Sequence, residues 1–125
     1  LVIEVPNEFN AFQVAGQKLH GLPPWWVAPP AHLNYFSATT LSSALRGTGY
    51  AVRNLEASFP MEMFLLMGEK YVGDGKLGRT CHERRMAFET NLRAMGMADK
   101  LHSFYEALAQ VDLGRQVLAY ASVEA

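Results

Sequence analysis

The sequence predicts an α/β fold, and three observations indicate it. Apolar runs rich in strand-forming residues stand near the two ends of the chain, at Leu1–Val5 and Gln116–Val123. Between them, apolar residues recur three and four positions apart, which is typical of one face of a helix. Half of the 125 residues are hydrophobic and 18% are charged, as in folded globular chains. We expect a single domain over residues 1–125.

The first third of the chain is predicted to hold one strand, one helix and one loop. The strand Leu1–Val5 is followed by Pro6-Asn7, a pair typical of turns. Glu8–His20 has apolar residues three apart and is predicted to be a short helix. Gly21–Pro30 holds four of the six prolines and both tryptophans, which predicts an ordered loop of extended character.

The next two elements are predicted to be a capped helix and a strand. Ser37 can accept hydrogen bonds from the free N–H groups of a helix over Ala38–Arg46, and Gly47 and Gly49 can end it. Tyr50–Phe59 has β-forming residues at both ends and polar ones between, so we expect a partly exposed strand.

Mostly helical structure is predicted after residue 60. Pro60 suits the first position of a helix, so Met61–Met67 is predicted to be a short helix, with a strand as the alternative. Thr80 and Glu83 fit a capping box, which predicts a second helix from Thr80 to about Met95.

The end of the chain gives the clearest helix and a central strand. Ala98–Gln110 has an apolar face with helical spacing, made by Leu101, Phe104, Tyr105 and Leu108. Gln116–Val123 is apolar on both faces, which is typical of a strand in the middle of a sheet. Three strands leave an unpaired edge, and we expect upstream strands or a second copy of the chain to cover it.

Composition argues against several classes of function. Eleven basic and twelve acidic residues give a net charge of -1, which does not favour a nucleic-acid-binding surface. No apolar run reaches the roughly 20 residues that span a bilayer, so we expect no membrane association. Cys81 has no partner for an internal disulfide, which suits a reducing compartment, and we expect a cytoplasmic protein without a signal peptide.

One glycine-rich motif is interpreted as a loop. Gly73–Gly78 reads G-x-G-x-x-G, and Asp99 follows at about the spacing of a dinucleotide-binding fingerprint. That site needs a strand before the loop and a second parallel strand after the helix. Neither is predicted, so we expect a flexible loop instead of a phosphate cradle.

Candidate site residues lie on both sides of the first predicted helix. Asn7 follows the first strand, and ligands of open α/β sheets bind beyond the carboxyl ends of strands. His32 is a candidate proton acceptor, because histidine titrates near neutrality, and Asn34 and Tyr35 add hydrogen-bonding groups. The structural alternatives are an ordinary turn at Asn7 and bracing of the proline-rich loop by His32 and Tyr35.

The tryptophan pair and an arginine-rich helix are two further candidates. Trp25 and Trp26 could close over a ligand, or brace the loop or an oligomer contact. The arginines could grip a phosphate or carboxylate, but interleaved Glu83 and Glu89 favour a solvated, salt-bridged face. The arginines are Arg79, Arg84, Arg85 and Arg93.

Cysteine and histidine spacing does not predict a metal site. Cys81 and the four histidines show neither C-x-x-C nor H-E-x-x-H spacing. Cys81 lies near the predicted start of a helix, which would lower a thiol pKa, but no base is positioned beside it. We expect a structural or idle thiol.

The order of several segments carries a family resemblance. They are Leu-Val-Ile-Glu-Val-Pro-Asn at 1–7, the proline-rich loop, His-Leu-Asn-Tyr-Phe-Ser at 32–37, Gly-Thr-Gly-Tyr at 47–50, Glu-Arg-Arg at 83–85 and Leu-Gly-Arg-Gln-Val-Leu-Ala-Tyr at 113–120. This order resembles the C-terminal half of class I S-adenosylmethionine-dependent methyltransferases, in the branch acting on small molecules. The resemblance spans nearly all 125 residues.

The resemblance implies a particular fold. The three strands would be the fifth, sixth and seventh of a Rossmann-like sheet, with the seventh antiparallel between the other two. Residues 60–113 would be a helical insertion. The family binds S-adenosylmethionine on a loop and a strand end that would lie upstream of Leu1. We therefore expect a fragment that carries the substrate side and is inactive alone.

The expected mechanism assigns roles to six residues. His32 would act as general base on a small-molecule methyl acceptor or orient it, and the remaining five would contact that acceptor: Asn7, Trp25, Trp26, Asn34 and Tyr35. The competing interpretation is a non-catalytic α/β module that forms a homodimer or binds a partner through its sheet edge and tryptophan-rich loop.

Overall fold

The computed structural model describes residues 1–124, and within them three strands and five helices form a mixed α/β fold. In chain order they are β1 (Val2–Pro6), α1 (Ala11–His20), α2 (Ala38–Gly47), β2 (Tyr50–Ala57), α3 (Glu62–Leu66), α4 (Gly75–Ala94), α5 (Ala98–Gln110) and β3 (Gln116–Val123). The strand order is β1-β3-β2, with β3 antiparallel to both neighbours. The predicted α/β class and the central, antiparallel place of the last strand are confirmed.

The strand register brings three chain segments to one end of the sheet. Pro6 at the end of β1 pairs with Gln116, and Ala57 at the end of β2 pairs with Val117. The carboxyl ends of β1 and β2 therefore lie beside the start of β3. We call this the carboxyl end of the sheet; it comprises residues 7–10, 58–62 and 112–116.

One face of the sheet is covered by α2. Alternate residues of a strand share a face, and residues at helical spacing share a side of a helix. The packed residues are Val117, Ala119 and Ala121 of β3 and Ala38, Leu41 and Leu45 of α2. They are all less than 9% exposed, so this contact is the core of the sheet region.

A second core lies among the three helices between β2 and β3. Its buried members are Phe59, Phe64, Cys81, Leu101 and Tyr105. The helix α5 also packs against β2, where the Asn54 amide donates to Glu106 at 2.9 Å. Residues 60–113, predicted as a helical insertion, thus carry a core of their own.

The caps of two helices test the predicted starts. Ser37 accepts the N–H of Thr40 at 3.2 Å, so the predicted cap of α2 is confirmed. The predicted start at Thr80 is wrong, because α4 begins at Gly75. Asp74 Oδ1 accepts two free N–H groups of the first turn, at 3.1 and 3.0 Å, which supports an earlier start.

The glycine-rich motif lies largely inside a helix. Gly75–Gly78 forms the first turn of α4, so the flexible loop predicted for residues 73–78 is wrong over these four. Only the turn that includes Gly73, with φ of 85°, precedes the helix. Within residues 1–124 no strand leads directly into it, so the strand–loop–helix context of a dinucleotide site does not form.

Candidate functional site

Asn7 anchors the carboxyl end of the sheet. It is 2% exposed, and its amide Nδ2 donates to the carbonyls of Asp112 at 3.2 Å and Gly114 at 3.3 Å. Its backbone N–H donates to Arg115 O at 3.0 Å, and a parallel bridge joins it to Phe36. Asn7 Oδ1 is buried without a hydrogen-bond partner among the described residues. Such an atom is costly to bury and indicates a site for water or a ligand.

Polar side chains after β1 form a connected network with Asn7. Asn10 Nδ2 donates to Asn7 O at 2.8 Å, and Asn10 Oδ1 caps α1 by accepting Gln13 N–H at 3.0 Å. Gln13 is fully buried, and its Nε2 donates to Glu8 Oε2 at 2.6 Å. Gln13 Oε1 accepts the N–H of Phe9 at 2.6 Å. These bonds fix the chain's exit from β1.

Two further charged groups complete this network from distant segments. Glu62, at the start of α3, has a fully buried side chain, and Arg115 directly precedes β3. Arg115 Nη1 lies 3.4 Å from Glu8 Oε1 and 3.9 Å from Glu62 Oε1. We call the set the acid–amide cluster: Asn7, Glu8, Asn10, Gln13, Glu62 and Arg115.

The protonation of Glu62 is set mainly by burial. Neither carboxyl oxygen has a hydrogen-bond partner among residues 1–124. Burial raises the pKa of Glu62, and the positive charge of Arg115 only partly opposes this rise. Burial also raises the pKa of Tyr71, and the charge of Glu62 adds to that rise. The cluster therefore holds a carboxyl group that keeps its proton more readily than an exposed glutamate.

An aromatic group lies beside the acid–amide cluster. Trp26 is 5% exposed and meets the ring of Phe9 edge-on at 5.5 Å and that of Trp25 at 4.8 Å. Phe9 also meets Tyr35 edge-on at 5.5 Å. Trp26 Nε1, like Asn7 Oδ1 and the two Glu62 oxygens, is a buried polar atom without a partner in the described chain. We call these four residues the aromatic group.

Phe9 connects the aromatic group to the acid–amide cluster. Its backbone has φ of 61°, a left-handed conformation that is strained for a residue with a bulky side chain. The short bond from its N–H to Gln13 Oε1 holds that conformation, and the ring is 55% exposed. Backbone strain of this kind concentrates at functional sites.

The predicted site residues lie at the same end of the molecule but do not form one bonded group. Trp26 and Tyr35 both contact Phe9, and Trp25 contacts Trp26. His32 and Asn34 lie exposed on the loop. Tyr35 OH donates to His32 O at 3.1 Å and accepts Ala28 N–H at 3.2 Å. No hydrogen bond within residues 1–124 joins the Asn7 side chain to His32 or Tyr35.

Sequence reasoning missed every member of the acid–amide cluster except Asn7. The five missed residues are Glu8, Asn10, Gln13, Glu62 and Arg115. One signal was present, because Glu62 is a lone acid within Pro-Met-Glu-Met-Phe-Leu-Leu, and a charge in such an apolar run is rarely buried without a partner. The residues around Arg115 in the sequence did not indicate this role. Arg115 lies near Glu62 only because β3 pairs with β1 and β2 in the folded chain.

Three of the four arginines of α4 are salt-bridged, as predicted, whereas no ion pair of Arg79 or Glu83 is found within residues 1–124. Arg84 Nη1 lies 2.6 Å from Glu69, and Arg85 and Arg93 lie 3.2 and 3.9 Å from Glu89. Cys81 lies inside α4 and is fully buried, away from the helix start expected from the sequence. Burial raises the pKa of the Cys81 thiol, which does not suit a nucleophile.

Comparison with known proteins does not assign the chain to a family, and the described residues show neither a membrane-spanning helix nor a metal-binding group. Protein-family models, curated proteins and solved structures give no match to the chain. None of the helices in residues 1–124 is long and apolar enough to cross a membrane. In the same range, no three or more His, Cys, Asp or Glu side chains are grouped to hold a metal ion. The strand order and the carboxyl end of the sheet carry the functional inference.

Proposed function

We propose that this chain is the substrate-side, C-terminal part of an S-adenosylmethionine-dependent methyltransferase acting on a small molecule. The observation that carries the proposal is the strand order β1-β3-β2, with β3 antiparallel between two strands of the same direction. The sequence resemblance implies this order for the last three strands of such a sheet. Two independent features, residue pattern and topology, therefore favour one family.

The outer edge of β1 also supports this assignment. Within residues 1–124, β1 pairs only with β3, so its other edge is free. Free sheet edges are normally covered or paired. In the proposed enzyme, upstream strands would continue the sheet from this edge.

The cofactor site is proposed to lie mostly upstream of Leu1. S-adenosylmethionine supplies an electrophilic methyl group when bound. The residues present do not fit it, because the glycine-rich segment lies in the first turn of α4 and no strand leads directly into it. The roles below therefore concern only the acceptor.

Asn7 and the segment 25–35 supply side chains suited to bind and deprotonate an acceptor. His32 would take a proton from it, while Asn7, Asn34 and Tyr35 would form hydrogen bonds. Trp25 and Trp26 would exclude water from one side. The unpartnered Oδ1 of Asn7 and Nε1 of Trp26 support this role, because each is a polar atom whose hydrogen-bonding capacity is unused in the described chain.

The upstream coding sequence gives the most direct test. A strand, a glycine-rich turn, a helix and a strand with an acidic end, within about 100 residues before Leu1, would supply the missing cofactor half. The natural protein should then transfer labelled methyl groups from S-adenosylmethionine into a small-molecule extract. A start codon directly before Leu1, with no transfer of label, would contradict the proposal and favour a partner-binding module.

His32→Ala tests the proposed base in the natural protein. We expect methyl transfer to fall by about two to four powers of ten, the usual contribution of general base catalysis. His102→Ala is the matched control, because His102 is an exposed residue of α5 that pairs with Glu56. Equal methyl transfer by the wild type and His32→Ala would exclude the role of His32.

A further inference from the structure

A concave feature lies at the carboxyl end of the sheet, between α4 and the start of β3. It is a pocket of about 220 Å³, and the residues lining it include Ser58, His82, Arg85, Arg115 and Gln116. Two arginines and a histidine thus line one small space, while the glutamates that pair with the arginines do not line it. This composition is suited to an anion.

Arg115 has donors left over after its ion pairs. The contacts of its guanidinium within residues 1–124 use Nη1 alone, at 3.4 Å from Glu8 and 3.9 Å from Glu62. The raised pKa of Glu62, caused by burial, weakens the negative charge on that side of Arg115. Nη2 and Nε of Arg115 are therefore free to donate, and the side chain is 36% exposed.

Arg85 and His82 supply the opposite wall of the pocket. Arg85 Nη1 lies 3.2 Å from both oxygens of Glu89, and its Nη2 lies 3.3 Å from His82 Nδ1. When Nδ1 accepts from Arg85, the proton of a neutral imidazole is on Nε2, which then acts as a donor. Ser58 Oγ accepts Gln116 N–H at 3.0 Å, so its hydroxyl proton is also free.

We propose that this pocket, which we call the anion pocket, binds a carboxylate or phosphate group of the methyl acceptor. The proposal rests on the function proposed above and narrows its substrate class to acidic small molecules. The volume suits one such group with a few neighbouring atoms, whereas sites for whole drug-sized ligands are usually larger, at 300–1,000 Å³. The rest of the acceptor would reach the acid–amide cluster, with which the pocket shares Arg115.

The test is a titration of the chain with inorganic phosphate and, separately, with acetate, followed by ¹⁵N NMR of arginine Nε groups. At constant ionic strength, we expect the signals of Arg85 and Arg115 to shift in a saturable way with at least one anion. The anion that binds with the higher affinity shows whether the pocket prefers a phosphate or a carboxylate group. If neither anion shifts these two signals in a saturable way, the proposal is overturned.

Two neighbouring arginines give a matched pair of variants. Arg85→Gln should weaken binding of the anion about tenfold, whereas Arg84→Gln, whose partner Glu69 lies outside the pocket, should leave it unchanged. Arg85→Lys keeps the positive charge but loses the two-pronged guanidinium geometry, so its affinity for the anion should lie between those of the wild type and Arg85→Gln. Equal binding by all three variants would overturn the proposal. Because no cofactor is needed, this failure is distinct from a failure of methyl transfer.

Discussion

At the scale of single residues, the turn before β3 at the carboxyl end of the sheet contains two residues with positive φ angles, Asp112 and Gly114. Gly114 has φ of 134°, and a Cβ there would lie 2.5 Å from Ala57 Cβ and 2.9 Å from Ser58 O. Only glycine fits this approach, which lets the Gly114 carbonyl accept from Asn7. Asp112, with φ of 55°, accepts the first N–H of α2 at 3.1 Å. One short turn thus orients both Asn7 and α2.

Glu62→Gln tests the protonation of the acid–amide cluster. Because the folded-state pKa of Glu62 lies above its ordinary value of 4.5, the folded protein binds more protons than the unfolded chain above that pH. Wild-type stability therefore falls as the pH rises from 4.5 through the folded pKa. Glutamine cannot ionise, so we expect Glu62→Gln to gain stability relative to the wild type between pH 4 and 7, by about 1.4 kcal/mol per unit of raised pKa.

Urea unfolding at pH 4 and pH 7 measures this difference. Glu69→Gln is the control, since it removes a partly exposed carboxylate that pairs with Arg84. It should not reproduce the gain. If the difference in free energy of unfolding between Glu62→Gln and the wild type is the same at both pH values, the protonation of Glu62 does not contribute to the pH dependence of stability.

At the scale of elements, α4 and α5 are joined by a buried polar contact. Tyr105 OH donates to Glu89 Oε1 at 2.6 Å, and Tyr105 is 8% exposed. Hydrogen bonds to charged groups contribute about 1.5–3 kcal/mol. We expect Tyr105→Phe to lower the free energy of unfolding by about that amount in urea titrations. Tyr50→Phe is a matched control, because no hydrogen bond of its hydroxyl is found within residues 1–124.

A loss from Tyr105→Phe no larger than that from Tyr50→Phe would mean that Arg85 and Arg93 alone satisfy Glu89. The contact matters beyond stability, because Arg85 lines the anion pocket and Glu89 holds it. A weakened joint between α4 and α5 would therefore also be expected to loosen that wall of the pocket.

The first and last residues of helices and strands could be predicted where the spacing of apolar residues was uninterrupted. Ala98–Gln110 and Gln116–Val123 match the structure residue for residue, because apolar spacing marks the whole of each. The start of α4 was missed because glycines disfavour helices, and the sequence did not show that two hydrogen bonds to Asp74 would outweigh them. In the site, Asn7 was found from its strand end, whereas Glu62 and Arg115 meet only through long-range pairing.

At the scale of the whole molecule, one edge of β1 is unpaired within residues 1–124. Leu1 exchanges hydrogen bonds with Ala121, and Asn7 N–H donates to Arg115, so the odd-numbered residues of β1 face β3. The N–H groups of Val2 and Glu4 therefore point to the free edge. Without upstream strands, we expect this edge to pair with the same edge of a second copy.

Glu4→Pro should abolish that pairing in the 125-residue chain, because proline removes an outward N–H without breaking the ladder to β3. Glu4→Thr is the matched control, since it keeps the N–H and favours a strand. Sedimentation velocity over a range of concentrations should show a dimer for the wild type and Glu4→Thr, and a monomer for Glu4→Pro. If Glu4→Pro still forms a dimer, the dimer contact lies away from this edge of β1. If the wild type is a monomer, the free edge of β1 does not pair with a second copy. If upstream strands continue the sheet, as proposed above, they would occupy this edge, and the same substitution in the longer protein should lower stability and leave the oligomeric state unchanged.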